Sequence, residues 1–236
     1  MNKIPDLSII LPVFNEKESV GIMINILEAT LDFEHEIIVV FDQDNDNTIL
    51  EVKKLQNKYS NIFLVKNKHY GAKGAFLTGL SFSKSKIILL TAVDEIFPIT
   101  SYRKMYDLII NKDFDLISGT RYAHGGKRYG GSLIGHFLSY TANKLLNIFS
   151  KFPLSDATTG IKMFKKEIMD EITLESKNIG WAFAFELSLK SLKNNKKISE
   201  IPLKSVDRLF GGKSSFKVGA WLIEYFKWFI WSFKNL

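Results

Sequence analysis

The chain has 236 residues, enough for one large α/β domain or two small ones, and a hydrophobic fraction of 46% supports a substantial core. It contains no cysteine, which excludes disulfides, thiolate nucleophiles and Cys-based metal sites. The formal charge of +7 is concentrated late, with eight Lys/Arg against three Asp/Glu from Lys196 to Leu236; that suits a phosphate-rich partner or simply a soluble protein of high pI.

The first predicted strand, 7–11, is apolar and stops at Pro12, delivering Asn15 and Glu16 to its carboxyl end. In an open parallel sheet, that end is where ligands sit. Val20, Met23, Leu27 and Leu31 are spaced for one face of a helix over 18–31. Strand 36–41 runs into an acidic loop, Asp42 to Thr48, and Thr48 suits the start of a helix reaching Tyr59. Strand 62–65 leads through a Gly-containing loop to a helix over 72–83. Strand 86–91 leads to Asp94, Glu95 and Pro98, then a helix over 100–111 and a strand over 114–119. Apolar strands separated by amphipathic helices indicate a parallel sheet covered on both faces.

The absence of G-x-G-x-x-G after the first strand argues against a nicotinamide dehydrogenase, and Gly71-Ala72-Lys73-Gly74 is too short and wrongly placed for a P-loop. The run Asp42, Asp44, Asp46 is no EF-hand, because no glycine follows and Lys53 stands at the twelfth loop position.

The second half is less regular. A Gly-rich turn over 125–131 opens a long helix to Ser150, and the loop Asp156 to Gly160 precedes a strand over 161–164. A helix over 181–192 precedes a strand over 198–206. The tail, 216–236, is helical, with Trp221, Tyr225, Phe226, Trp228, Phe229 and Trp231 mixed with Lys217, Lys227 and Lys234. Aromatic and basic residues on one helix suit the headgroup region of a bilayer. A helix packed on the domain, or a dimer interface, are the alternatives. No uncharged apolar run reaches 18 residues, so no membrane span is predicted. The first residues lack the order of a signal peptide. The expected location is cytoplasmic, peripheral on the inner face of the membrane.

In this order, these pieces resemble a family-2 glycosyltransferase of the GT-A fold, in the branch typified by dolichol-phosphate mannose synthases and bacterial polyprenyl-phosphate relatives. The matching pieces are LPVFNE at 11–16, the acidic loop at 42–48, Lys73-Gly74, Asp94 before Pro98, and SGTRY at 118–122 with Gly125-Gly126. They continue with DATTG at 156–160, GWAFAFE at 180–186, EIP at 200–202, and Arg208 with GGKSSF at 211–216. The resemblance implies an α/β fold: a Rossmann-like, mostly parallel sheet with helices on both faces, followed by an aromatic amphipathic C-terminal helix. It implies a single domain over 1–215, with a nucleotide-sugar half at 1–120 and an acceptor half at 121–215, and the helix at 216–236 as a membrane-surface anchor.

For the site, the resemblance implies an inverting transfer from a GDP- or UDP-linked sugar to a polyprenyl or dolichyl phosphate, assisted by Mg²⁺ or Mn²⁺. Hard cations prefer carboxylate oxygens, and Asp94 holds the last position of the family's Asp-x-Asp, whose first position is Ala92 here. Asp94 capping the next helix is the alternative. Asp42 faces the base, and Pro12, Asn15 and Glu16 wall the pocket near the ribose, with Lys73 and Gly74 also at the donor; a solvated turn at 42–46 is the competing reading. Arg121 points at a phosphate, and Arg208 and Lys213 lie in a loop closing over the donor; an ordinary exposed lysine is the alternative for Lys213. The Arg that usually precedes Ser-x-x-x-Asn in the long helix is Gly135 here, beside His136, with Ser139 and Asn143 kept. Asp156 and Glu186 either face the acceptor or hold a loop. Acting on a hydroxyl of a cell-surface glycan, or binding a nucleotide-sugar with impaired turnover, are the alternative functions. No nucleic-acid motif is evident, and a homo-oligomer is left open.

Overall fold

The computed structural model describes residues 4–131, 133–150, 152–206 and 218–236. Elements follow as β1 (Leu7–Val13), α1 (Lys17–Thr30), β2 (His35–Phe41), α2 (Thr48–Gln56), β3 (Ile62–Lys66), α3 (Gly71–Phe82), β4 (Ile87–Leu90), α4 (Ile99–Lys112) and β5 (Leu116–Thr120). Then come β6 (Lys127–Tyr129), α5 (Leu133–Ser150), β7 (Lys162–Lys165), α6 (Ile168–Glu171), α7 (Ala182–Lys193), β8 (Ile198–Pro202), β9 (Lys204–Val206) and α8 (Val218–Asn235).

Seven strands form one sheet in the order β3-β2-β1-β4-β7-β5-β8. All run parallel except β7, which is antiparallel to both β4 and β5. Side chains alternate across a strand, and this sorts each apolar run onto two faces. Ile9, Leu11, Ile37, Val39 and Leu89 pack with α1, α2 and α4 residues such as Met23, Val52 and Met105. Ile10, Ile38, Val40, Ile88 and Leu90 pack with Phe76 of α3 and Phe183 and Leu187 of α7. Near-continuous apolar strands therefore mark a sheet buried on both sides. A third cluster joins Leu146 of α5 and Phe185 and Leu189 of α7 to Trp228 of α8, so the aromatic C-terminal helix contributes directly to the interior.

Two parts of the sequence reading change. The stretch expected as one strand over 198–206 breaks at Leu203: β8 stays in the main sheet, and β9 pairs with β6 in a small second sheet. Pro202 sits on the edge strand, where its missing N–H faces away from β5; the N–H of Leu203 still donates to the Thr120 carbonyl at 2.7 Å while its carbonyl accepts from the Lys127 N–H at 2.9 Å, so the chain passes there from the main sheet to the small one. The Gly-rich turn over 125–131 contains β6, and α6 is a one-turn helix too short to show periodicity.

Candidate functional site at the carboxyl edge of the sheet

The register brings the expected site segments together. Pro12 pairs with Val40 and Val13 with Phe41 on parallel strands. Ile10 pairs with Leu90, and the N–H of Thr91 donates to the Ile10 carbonyl at 3.4 Å. Adjacent strands lie about 4.8 Å apart, so the loops that begin at residues 14, 42 and 92 leave one edge side by side. The carboxyl end of β5, with Arg121, and the start of β7 open onto the same edge.

The acidic loop is built around the entry to α1. Asn15 adopts a left-handed conformation, φ 57°. Its N–H donates to the Asp46 carboxylate at 3.1 Å, the N–H of Glu16 to Thr48 Oγ1 at 2.9 Å, and that of Lys17 to Asn47 Oδ1 at 3.2 Å. Consecutive donors that a helix start leaves unpaired are thus met by the neighbouring loop. Asp46 is therefore a buried brace, not a solvated carboxylate, whereas Asp44 is exposed beside Lys66. Asp42 is half-buried; it accepts from Asn67 Nδ2 at 2.6 Å and from the Gly71 N–H at 3.0 Å, at the positive end of α3.

Lys73 and Gly74 follow in the first turn of α3. The Lys73 ammonium donates to the Ser176 carbonyl, on the loop after α6. At Gly74, an added Cβ would stand 2.7 Å from the carbonyl oxygen of His69. Gly74→Ala is accordingly expected to destabilise the protein by about 1–3 kcal/mol through backbone displacement, read as a lowered midpoint in urea unfolding; an unchanged midpoint would show that the 67–71 loop yields freely.

Asp94 and Glu95 lie half-buried in the turn after β4. Glu95 Oε1 accepts from Ser205 Oγ of β9 at 2.8 Å, so this neighbour is directed to the small sheet. Among the described residues, no group of three or more His, Cys or acidic side chains could hold a metal by itself. With Ala92 in place of a carboxylate and Glu95 Oε1 engaged by Ser205, Asp94 stands as the candidate metal ligand of this turn. That suits a cation that draws its remaining ligands from substrate phosphates and water, as Mg²⁺ commonly does.

On the other side of the edge, Arg121 makes a bidentate pair with Asp156, with Nε–Oδ2 2.6 Å and Nη2–Oδ1 3.0 Å, and adds a bond from Nη2 to Thr158 Oγ1 at 3.2 Å. Asp156 is fully buried. Burial alone would raise its pKa, but the Arg121 guanidinium overrides this and holds it below the usual carboxylate range. Burial likewise opposes the Arg121 charge, and Asp156 more than offsets it. Thr158 Oγ1 also bonds Ser139 Oγ at 2.9 Å and Asn143 Nδ2 at 3.1 Å, which ties α5 to the pair. His136 packs edge-on against the Tyr122 ring, an aromatic contact in place of the absent Arg charge.

Two expected acceptor carboxylates turn inward. Asp156 serves Arg121. Glu186 is fully buried, accepting from the N–H groups of Glu175 at 2.6 Å and Ser176 at 2.8 Å and pairing with Lys190 at 2.8 Å. Glu186 and Lys73 thus hold the same loop from opposite sides, which corrects the expectation that Glu186 faces the acceptor. Arg208, Lys213 and the loop at 211–216 lie outside the described residues.

Sequence reasoning missed Lys162 and Glu200. Lys162, the first residue of β7, has a fully buried side chain. Strand alternation carried a signal for it, since Lys162 shares a face with the core residue Phe164. Glu200 of β8 accepts from Ser155 N at 2.7 Å and Ser155 Oγ at 2.8 Å, and burial raises its pKa.

A doubly wound sheet whose carboxyl edge gathers these loops defines a GT-A type fold. Glucosyl-3-phosphoglycerate synthase from Mycobacterium tuberculosis shares it, with a TM-score of 0.73 over 98% of this chain and 81% of its own, at 15% identity. The chain belongs to glycosyl transferase family 2, whose model matches residues 8–173. Among curated relatives, a dolichol-phosphate mannosyltransferase of Pyrococcus furiosus is 24% identical, covering 94% of this chain and 64% of its own. A polyprenol monophosphomannose synthase of Mycolicibacterium smegmatis is 22% identical over 92% of this chain and 86% of its own. The chain thus spans under two thirds of the Pyrococcus protein's length.

Proposed function

We propose that this chain is an inverting glycosyltransferase that moves a sugar from a GDP- or UDP-linked donor to a polyprenyl or dolichyl phosphate. The observation that carries the reading is the convergence of the 12–16, 42–48 and 91–95 segments at one sheet edge, facing the Arg121–Asp156–Thr158 cluster. Asp42, held by Asn67 and Gly71, retains lone pairs to accept from a base N–H. Pro12, Asn15 and Glu16 wall the ribose side, and Gly74, which lets the 67–71 loop close against the start of α3, lies with Lys73 on the donor side. Asp94 would hold Mg²⁺ or Mn²⁺, which, when bound, stabilises charge on the departing diphosphate. A guanidinium carries five N–H donors; Asp156 and Thr158 take those of Nε and Nη2, and the two of Nη1 are the ones that meet a phosphate. A phosphate acceptor is already anionic near neutral pH and needs little help from a general base, which suits a site whose nearby carboxylates, Asp156 and Glu186, are both committed to structure.

A lipid acceptor also fits the outer surface. On α8, Ile223 is 72% and Phe226 63% exposed. The rings of Phe226, Phe229 and Phe233 succeed one another along the helix and meet Phe149 of α5, whose Phe137 is 67% exposed. Tyr225 of α8 stacks on Phe185 of α7, and Trp228 is buried in the same cluster, so this helix is docked along one face and exposed along the other. No described helix is long and apolar enough to cross a membrane. The exposed apolar residues of α8 and α5 support reading the protein as peripheral, on the inner face of a membrane. In flotation assays it is expected to associate with anionic vesicles, and Ile223→Ser with Phe226→Ser to weaken partitioning about tenfold or more; no association with any vesicle would contradict the anchor. The transfer itself is tested by lipid-linked sugar formation from polyprenyl phosphate. A protein that binds donor without transferring to any acceptor would favour an impaired homologue, and transfer only to a glycan hydroxyl would favour that acceptor class.

A further inference from the structure

The buried Lys162 has no part in the reading above. Its Nζ donates to Ser118 Oγ of β5 at 3.0 Å and to the Ala157 carbonyl at 3.3 Å. The N–H of Ala157 in turn donates to Asn143 Oδ1 of α5 at 2.8 Å. The peptide between the two residues that grip Arg121, Asp156 and Thr158, is therefore clamped from both ends. A buried ammonium is costly unless its charge is used. The charged groups around it are Asp156, Arg121 and Glu200, and its partner on β4, Leu90, is apolar. Within this cluster, Asp156 cancels Arg121, and Glu200 adds a further negative charge. Only Lys162 brings the set back to neutrality.

We propose that Lys162 is a positioning residue for Arg121: its ammonium fixes the 156–158 turn and supplies the second positive charge against which an anion is held at the guanidinium. The role rests on Arg121 being a phosphate site. Burial lowers the Lys162 pKa to about 7, with Asp156 opposing that shift, Arg121 adding to it and Glu200 opposing it. The charge is accordingly present below that pH and lost above it, so an anion binds more tightly on the acid side.

The test uses the full chain and sulfate, a dianion that does not titrate near neutrality, by calorimetry at constant ionic strength from pH 6 to 8.5. Binding to the native chain should weaken about tenfold or more across this window. Lys162→Met should bind weakly throughout with a flat profile. Lys162→Arg should stay tight and flat. Ser118→Ala, which removes one acceptor of the charged form, should move the transition to lower pH. Every other titratable group persists in Lys162→Met, so a surviving pH dependence in that variant assigns the effect elsewhere and overturns the proposal. A flat native profile, native affinity in Lys162→Met at pH 6, or an unmoved transition in Ser118→Ala would also overturn it. Arg121→Ala separates the premise: if that variant binds sulfate like the native chain, the phosphate role of Arg121 fails. If only the Lys162 and Ser118 variants behave like the native chain, Lys162 alone loses its role.

Discussion

Asp94→Asn is expected to lower sugar transfer by about 100-fold or more while leaving urea unfolding unchanged. The substitution keeps the size and removes the charge in the turn that follows β4. The turn offers little redundancy: Ala92 carries no ligand, and Glu95 is engaged by Ser205 of β9. On the proposed reading, Asp94 is the carboxylate through which a cation at this turn would act on a departing diphosphate. Initial rates at saturating Mn²⁺ decide the matter, and a rate equal to the native one would remove Asp94 from the reaction.

The second large effect is on stability. Asp156→Ala leaves the Arg121 guanidinium, with its side chain only 14% exposed, without its carboxylate. Breaking a buried pair by removing one partner costs about 3–5 kcal/mol, to be read from the urea midpoint at pH 7. The double variant Arg121→Met/Asp156→Leu should recover much of that loss, because no uncompensated charge remains, and yet should not transfer sugar. The folded pKa of Asp156 is depressed. Its contribution is thus complete above the unfolded value near 3.9 and is lost as pH falls through the folded one. Acid unfolding of Asp156→Ala should consequently be less steep below about pH 4. Equal stability of the single variant and the native chain would mean that the pair is ornamental.

The parts of this fold that were legible in the sequence are those governed by local pattern. The runs at 7–13, 35–41 and 87–90 are apolar on both faces, which only a doubly covered sheet tolerates. The loops after them carry the polar residues of the edge, and their convergence follows once the strands are parallel. What local pattern does not carry is the partner of each polar side chain. Glu186 sits in a recognisable motif, but its commitment to Glu175 and Ser176 depends on how the loop after α6 folds back over α7. Asp46 resembles its neighbours Asp42 and Asp44 in sequence, and only the left-handed turn at Asn15 makes it a brace. Alternation places Lys162 on the face of Phe164, but in a four-residue strand that also holds Lys165 this is a faint signal, and its full burial follows from the place of β7 between β4 and β5.

Under the proposed function, this edge grips a nucleotide-sugar and releases its sugar to a lipid phosphate. The direct measurement incubates the protein with GDP- and UDP-linked sugars in turn, Mn²⁺ and a polyprenyl phosphate in anionic vesicles, and follows lipid-linked sugar by extraction. One donor should yield glycolipid and free nucleoside diphosphate in equal amounts, and the Asp94→Asn protein should yield neither. Failure of every donor to glycosylate the lipid, by a preparation shown to bind a nucleotide-sugar and to float with the vesicles, would contradict the account.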